Sequence, residues 1–542
     1  MTQDLQGDRE KYNASGFLLK NVYKPEDTDP VSYSKELGDP GQYPFTRGIY
    51  PTGYRGSVWQ QNPVVGFGLP EDTNKRIKFL ISQGATGHLG RTAVNLVFDL
   101  PTTWGFDVDN PEAKYEAGEC GVITNTVRDM ELIWEGLPIE NMHISLIEHG
   151  PAPVMLALFI VAAEKQGIPR EKLNGLCTNY PLFFYPVCNM AFLPPRSAMR
   201  ISVDCIKFCR KEMPNWNPVN VLGYHFGESG SGPVREIAYA IAMAIDLFKA
   251  CIESGMNVDE FAPQIAFFFE VGSNFFEEIA KLRAARKVWA TVVHDKFGAQ
   301  DMRSCRMKFL AQNAGYTLTA QEPLNNIGRI AIQTLAAVLG GAQSIATDSY
   351  DEPISIPTEE TARIAIKTQK IIEHETGVAD VVDPLGGSYF VESLTLEMER
   401  KIWDELDKIE KMGGAVVGIE NGYFEAEIDK ASLKYQMEVE SGERVIVGMN
   451  KYKEEEARSF AAFKVPPETR KVAIERLRKY KEERDNEKVR GVLDKIRQAA
   501  STDGELMPLF IEGARVNATF GEMYGVLHQV FGPWKKEQIL RS

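Results

Sequence analysis

Residues 143–179 read HISLIEHGPAPVMLALFIVAAEKQGIPREKLNGLCTN, and this stretch decides the fold class. Its two ends, His143–Glu148 and Gly175–Asn179, are short runs closed by a polar residue, and they predict strands. The apolar run between them is long enough for a crossover helix and ends at a glycine. A strand, a helix and a second strand in this order are typical of a parallel βαβ unit.

The same alternation repeats between about residues 90 and 390, and it predicts eight strands in all. They are Ala93–Asp99, His143–Glu148, Gly175–Asn179, Val219–His225, Gln264–Glu270, Cys305–Gln312, Ser344–Asp348 and Val378–Asp383. Eight strand and helix repeats predict an α/β fold, a (β/α)8 TIM barrel. A doubly wound open sheet is the alternative, but the chain has neither a G-x-G-x-x-G turn after an early strand nor a G-x-x-x-x-G-K-[ST] loop.

A polar side chain ends each predicted strand, and barrel active sites lie at the carboxyl ends of the strands. Any single one can be a turn residue, but all of them together predict a polar mouth. The set is Asp99, Glu148, Asn179, His225, Glu270, Gln312, Asp348 and Asp383.

The barrel is predicted to span residues 46–395, between two regions of different composition. Residues 1–45 are polar and interrupted by prolines, which predicts an extended N-terminal arm. Residues 396–542 carry apolar residues at three- and four-residue spacing among charged ones, which predicts a C-terminal helical region. This region is either a solvated layer or a platform for a second subunit.

Composition excludes several classes of function. The chain has 542 residues, 44% of them hydrophobic and 25% charged, with a formal net charge of -14 and no basic stripe, so a nucleic-acid partner is not expected. No apolar run reaches the roughly 20 residues of a membrane span, and no secretory signal opens the chain, which predicts a cytoplasmic protein. The seven cysteines have no zinc-site spacing, so no metal site is predicted.

Several motifs in a fixed order closely resemble the methylmalonyl-CoA mutase family. They include FTRGIYPTGYRGSVW (45–59), FDLPTTWGFDVDNP (98–111), PPRSAMRIS (194–202), LTAQEPLNN (318–326) and DPLGGSYFVE (383–392). The resemblance covers nearly the whole chain. It implies the large, catalytic barrel subunit of an adenosylcobalamin-dependent acyl-CoA mutase, an isomerase that rearranges a carbon skeleton by radical 1,2-migration while the protein encloses and orients the substrate.

The resemblance also assigns catalytic and cofactor residues. Tyr54 falls on the tyrosine near the corrin and the adenosyl group, and His225 on the histidine that hydrogen-bonds the thioester carbonyl. Gln312 falls on a glutamine at the substrate, and Glu352 on the glutamate that binds the adenosyl ribose. Asp348 stands where relatives usually carry asparagine, so a cofactor contact there is expected to bear a charge.

The predicted substrate contacts depart from the family pattern. The resemblance places Arg47 against coenzyme A and puts Ser145, Thr178, Asn179 and Cys188 along the substrate path. Cys188 stands where methylmalonyl-CoA mutases carry the arginine that holds the substrate carboxylate, and a thiol cannot make that bidentate pair. A branched acyl-CoA without the carboxylate, of the isobutyryl or hydroxylated 2-hydroxyisobutyryl type, is therefore expected.

Other family contacts to coenzyme A are also replaced by residues that cannot make them. The segment TGHLGR (86–91) is an insertion before the first predicted strand, and its His88 and Arg91 are candidate replacement contacts.

The sequence has no D-x-H-x-x-G motif, which in relatives supplies the histidine below the cobalt. A cobalamin-binding domain is therefore expected to be missing from the chain, and a separate small subunit with that motif is expected to bind adenosylcobalamin jointly with the barrel in a hetero-oligomer. Two alternatives stay open: a B12-dependent mutase for a substrate that is not a CoA thioester, and a non-catalytic partner subunit of a mutase.

Overall fold

A computed structural model describes residues 11–13, 15–20, 23–28, 37–85, 91–188, 193–454 and 462–534. Eight parallel strands form its centre. They are β1 (Gln60–Gln61 and Val64–Val65), β2 (Thr92–Val97), β3 (Met142–Ile147), β4 (Gly175–Cys177), β5 (Trp216–Asn217 and Val219–Leu222), β6 (Ile265–Val271), β7 (Lys308–Asn313) and β8 (Ser344–Ala346).

Two interrupted strands close the ring. The Gln60–Gln61 segment of β1 pairs with β8, and the Val64–Val65 segment pairs with β2. In the same way Trp216–Asn217 of β5 pairs with β4, and Val219–Leu222 pairs with β6. Each strand is divided at a proline, which has no N–H to donate to a ladder, so pairing changes sides there. With the other parallel pairs, the eight strands complete the predicted TIM barrel.

One predicted strand is wrong. Residues 378–383 form turns, and Asp383 there has a left-handed backbone with φ of 47°. The eighth place in the barrel belongs to β1, whose sequence around Asn62 and Pro63 lacks the apolar alternation of a strand. The sequence signal fails at β1 because its polar side chains line the barrel interior, where apolar residues are normally expected.

Eight helices follow the strands and cover the barrel. They are α1 (Pro70–Ser82), α2 (Val127–Ile133), α3 (Ala152–Lys165), α4 (Pro195–Glu212), α5 (Pro233–Glu253), α6 (Phe275–Thr291), α7 (Asn325–Leu339) and α8 (Glu359–Glu375). Residues 152–163 of α3 are all buried. This helix is apolar on every side because the barrel lies against one face and C-terminal helices lie against the other.

The described part of the C-terminal region contains seven helices. They are α9 (Tyr389–Met412), α10 (Ala415–Glu420), α11 (Tyr423–Ser441), α12 (Thr469–Glu483), α13 (Asn486–Ala500), α14 (Met507–Arg515) and α15 (Phe520–Phe531). Helix α9 crosses the predicted boundary at residue 395 and packs against α5 and α6, whereas α14 and α15 pack against α3. Arg200 of α4 donates hydrogen bonds to the carbonyls of Ala499 and Ala500, at 2.9 and 2.8 Å, and so ties α13 to the barrel.

The described part of the N-terminal arm folds back onto the protein. Lys11–Tyr12 pairs with Leu18–Leu19, and Phe17 between them is buried in the main core. Within the described ranges, no helix is long and apolar enough to cross a membrane, and no group of three or more metal-ligating side chains is found.

Candidate active site

A cavity of about 760 Å³ enters the barrel from the amino ends of the strands. Its rim includes Arg47, Tyr50, Arg91 and Lys308, and its inner wall includes Asn62, Leu176, Ala266, Leu310 and Ser344 from five different strands. The interior of an ordinary TIM barrel is filled by layers of apolar side chains. This barrel instead has room for a ligand that extends along its axis.

The interior beside this cavity is polar. Asn95 pairs in register with Ser145, and Ser145 pairs with Leu176 of the cavity wall, so all three side chains face the axis. Asn220 faces it as well, because it pairs with Ala266. Atoms of Asn95, Ser145 and Asn220 are buried without a hydrogen-bond partner. Buried polar groups are normally satisfied, so these donors and acceptors point to a polar ligand in the barrel.

A cluster of amide, phenol and carboxyl groups lies at the carboxyl ends of β5, β7 and β8. The Gln312 Nε2 donates to Asp348 Oδ1 at 2.9 Å and to the Tyr224 hydroxyl at 3.4 Å. Glu228 accepts from the backbone N–H groups of Gly315 and Tyr316, at 2.6 and 3.1 Å. Tyr224 stacks on Phe268, with ring centroids 4.6 Å apart.

The carboxyl groups of this mouth hold their protons more tightly than usual. Desolvation raises the pKa of Asp348 well above its ordinary value, with repulsion from Glu352 and Glu228 adding to the shift. Desolvation in the recessed mouth, with Asp351 and Glu228 nearby, raises the pKa of Glu352 to about 7. Burial in this mouth therefore disfavours the charge expected on Asp348.

Rings and imidazoles cover the opposite side of the mouth. His149 contacts Phe183 and Phe184, with ring centroids 4.9 and 4.5 Å apart. His225 contacts Phe183 at 4.4 Å and Tyr224 at 5.4 Å. The two imidazoles are 5.7 Å apart and almost perpendicular, at 88°. Together these rings exclude water from one wall of the site.

Both histidines are neutral at physiological pH. Desolvation lowers the pKa of His225 to about 4, and desolvation together with the proximity of His225 lowers the pKa of His149 well below its ordinary value. The Nδ1 atoms of both are buried without a partner. No ion pair reaches either imidazole among the residues that the structure describes.

A buried ionic network supports the mouth from behind. The Lys281 ammonium donates to Glu236 Oε2 at 2.6 Å and to the carbonyl of Glu270 at 2.8 Å, and its Nζ lies 2.5 Å from Glu278 Oε2. Glu236 Oε1 accepts from the Glu270 N–H at 2.8 Å, so the network fixes the end of β6. The side chains of Lys281 and Glu236 are fully buried.

The structure brings His225, Gln312 and Asp348 together with Glu352 at the mouth, but it does not bring Tyr54 there. The Tyr54 hydroxyl donates to the carbonyl of Ala342 at 2.7 Å, just before β8, and its ring lies against Trp59 at the amino end of the barrel. Strand length separates these two ends, because each residue of a strand advances the chain by about 3.3 Å.

Arg47 also lies at the amino end, on the rim of the cavity where a coenzyme A contact was expected. Its Nε is 2.9 Å from Asp383 Oδ2, and Arg283 binds the other oxygen of the same carboxylate at 2.5 Å. Arg283 is buried and also pairs with Glu392 at 2.6 Å. Asp383 therefore holds Arg47 at the entrance of the cavity and does not join the mouth.

The other predicted substrate residues have different environments. Ser145 faces the axis, as described above. Thr178 accepts from the N–H of Glu148 at 2.9 Å, and Asn179 donates to the carbonyl of Ser202 at 3.1 Å, so both hold neighbouring elements together. Cys188 is half-buried after the short helix Phe184–Val187, and burial raises the pKa of its thiol to about 11.

The inserted segment is only partly described. Arg91 lies on the rim of the cavity. The prediction for His88 lies outside the described residues, which resume at Arg91.

Sequence reasoning missed His149, Tyr224, Glu228 and Asn220. Tyr224 and Glu228 flank His225 in the run GYHFGE (223–228), and their closeness to that histidine is the signal that could have identified them. Asn220 interrupts the apolar strand VNVL, which is a usable signal for an inward polar residue. His149 has no such signal, because its neighbours come from other strands.

A barrel with a polar, ligand-sized axis and a mouth of imidazole, amide and carboxyl groups defines an enzyme of the TIM-barrel class. The chain belongs to the methylmalonyl-CoA mutase family, whose model matches residues 12–533.

Individual relatives agree with this assignment. The chain is 38% identical over 534 residues to the 2-hydroxyisobutanoyl-CoA mutase large subunit of Aquincola tertiaricarbonis, covering 98% of this chain and 94% of the relative. It is 38% identical to the mitochondrial methylmalonyl-CoA mutase of Mus musculus and 37% identical to that of Homo sapiens, covering 98% of this chain and 70% of each relative. The predicted family of B12-dependent mutases, which are isomerases, is confirmed.

Proposed function

We propose that this chain is the catalytic barrel subunit of an adenosylcobalamin-dependent mutase that rearranges an uncharged, branched or hydroxylated acyl-CoA. The observation that carries the proposal is the polar axis of the barrel. A pantetheine chain is narrow and contains two amide groups, so it matches the unpartnered groups of Asn95, Ser145 and Asn220. Arg47 and Arg91 on the rim suit the phosphates of a coenzyme A nucleotide.

The length of the axis agrees with this binding mode. The cavity reaches Leu310 of β7, and Gln312 lies two residues further along the same strand, a distance of about 7 Å. A thioester at the end of a pantetheine chain would then lie between Gln312 and His225. The nucleotide would remain at the amino end.

The mouth residues fit the adenosyl group of the cofactor. Glu352 and Asp348 would accept and donate hydrogen bonds to the ribose hydroxyls, and Asp348 is oriented for this by Gln312. When bound, adenosylcobalamin supplies the radical that starts the rearrangement. His225, as a neutral imidazole, would donate to the thioester carbonyl, and Phe183, Tyr224 and Phe268 would keep water from the reacting carbons.

The wall of rings and imidazoles at the mouth favours a substrate without a carboxylate. Cys188 offers no positive charge. His149 and His225 are neutral. A carboxylate desolvated among these rings would lack a compensating cation, which is strongly unfavourable.

We also propose that a separate cobalamin-binding subunit with a D-x-H-x-x-G motif completes the enzyme as a hetero-oligomer. The similarity to a relative named as a large subunit, of which the chain covers 94%, supports this. The carboxyl-end mouth would be the surface that the subunit covers.

Binding of CoA thioesters tests whether the pantetheine chain lies along the polar axis of the barrel. Calorimetry with isobutyryl-CoA is expected to show binding to the wild-type chain and to Asn220→Ser, which keeps a small polar side chain. Asn220→Leu should abolish binding without lowering the melting temperature, because an apolar side chain replaces an unsatisfied amide. Binding of the thioester to Asn220→Leu with wild-type affinity would contradict the proposed path.

Activity tests the reaction. The chain combined with its cobalamin-binding subunit and adenosylcobalamin is expected to isomerise isobutyryl-CoA or 2-hydroxyisobutyryl-CoA. Turnover of methylmalonyl-CoA as fast as these substrates would contradict the proposed acyl specificity.

A further inference from the structure

His149 is a buried imidazole that the proposed reaction does not yet use. It follows β3 by two residues and is only 9% exposed. Its Nδ1 atom has no hydrogen-bond partner. Core histidines normally bond a backbone or side-chain group, so an unsatisfied nitrogen in this position needs an explanation.

The surroundings of His149 do not satisfy its nitrogen but do orient its ring. Phe183 and Phe184 pack against it edge to face, at interplanar angles of 72° and 77°. Phe183 also contacts His225 and so links the two imidazoles. The ring is thus held in one orientation by apolar neighbours, while its Nδ1 atom is left for a ligand.

The two imidazoles form a pair in which neither can be the other's partner. Their centroids are 5.7 Å apart and their planes almost perpendicular, and both Nδ1 atoms are unpartnered. A ligand with two oxygen atoms a few ångströms apart could bond one imidazole with each. Because burial keeps both rings neutral, the pair suits uncharged oxygens, not a carboxylate.

We propose that His149 is a substrate-binding residue that recognises a hydroxyl group on the acyl chain, while His225 binds the thioester carbonyl. This inference rests on the proposed function, and it selects the hydroxylated acyl-CoA class from the two that the proposed function leaves open. A hydroxyl can both donate and accept, so it can pair with a neutral imidazole in either tautomer.

The test compares the binding of 2-hydroxyisobutyryl-CoA with that of isobutyryl-CoA, which differ by one hydroxyl. Isothermal titration of the full-length chain gives both affinities. The wild type is expected to prefer the hydroxylated thioester, and His149→Phe, which keeps a ring, is expected to lower that preference about three- to tenfold. His149→Asn places an amide near the position of Nδ1 and should keep most of the preference for the hydroxylated thioester.

Controls separate recognition from folding. His374→Phe makes the same change at an exposed histidine and should leave the preference unchanged. The melting temperature of each variant reports whether it is folded. If His149→Phe does not fold, His149→Leu carries the comparison, because it also removes both ring nitrogens and is expected to lower the preference in the same way.

The outcomes distinguish this inference from the proposed function. If the wild type binds both thioesters equally, or if the folded variant that lacks both ring nitrogens (His149→Phe or His149→Leu) keeps the full preference for the hydroxylated one, the inference is overturned and the CoA mutase function stands. If neither thioester binds to the wild type, both are overturned.

Discussion

Replacing Lys281 by methionine removes the single cation of the buried network behind the mouth and leaves Glu236, Glu270 and Glu278 against one another. Even with Lys281 in place, burial raises the pKa of Glu236 to about 7 and the pKa of Glu270 well above its ordinary value. Removing one partner of a buried ion pair typically costs about 3–5 kcal/mol. Methionine fills the volume of the lysine stem, so the cost is expected to be electrostatic and not a cavity effect.

The matched control is Lys495→Met, which removes an exposed ion pair with Glu512 at 2.7 Å. That pair should contribute at most about 1 kcal/mol. Thermal unfolding at one scan rate is the measurement: Lys281→Met is expected to melt several degrees below the wild type and Lys495→Met within about one degree.

The pH dependence of the stability loss in Lys281→Met shows whether its cause is electrostatic. A carboxyl whose pKa is raised on folding stabilises the protein below its unfolded pKa, and that stability is lost as the pH rises through its folded pKa. For Glu236 this window runs from pH 4.5 to about pH 7 in the wild type, and its upper end rises when the lysine is lost. The deficit of Lys281→Met should therefore be small near pH 5 and grow above pH 7. A deficit that is equal at both pH values would refute the electrostatic reasoning.

Two further predictions concern the two ends of the barrel. Asp383→Asn leaves Arg47 and Arg283 without their shared carboxylate, so the melting temperature should fall and the dissociation constant for a CoA thioester should rise; unchanged values of both would contradict the role of Asp383 in holding the entrance. His225→Phe in the assembled enzyme should lower kcat about 100-fold or more while thioester binding changes little. Because the pKa of His225 is about 4, no step in the wild-type pH profile between pH 6 and 8 should depend on this histidine.

The sequence predicted seven of the eight strands, because buried parallel strands read as short apolar runs. It failed at β1, whose Gln60, Asn62 and Pro63 carry the opposite signal. The reason is physical: Gln60 and Asn62 line an open cavity in the barrel, so a strand at this position does not need to be apolar. The Val378–Asp383 run was misread because apolar turn residues can resemble a strand when their tertiary partners are unknown.

Motif order located the site residues along the chain but not in space. Arg47 and Tyr54 lie seven residues apart in one motif, and both proved to be at the amino end, away from His225 and Gln312. The order of residues in a motif does not show at which end of the barrel they lie, since every strand has one end at each opening.

By itself the sequence determined the α/β class, the mutase family and the mouth residues that end a strand, because periodicity and residue order are properties of the linear chain. Only the tertiary structure decided how two proline-divided strands close the barrel, that the axis is polar, and that His149 and His225 meet. These features depend on contacts between residues far apart in the chain, such as His149 and His225, and such contacts form only when the strands pack side by side.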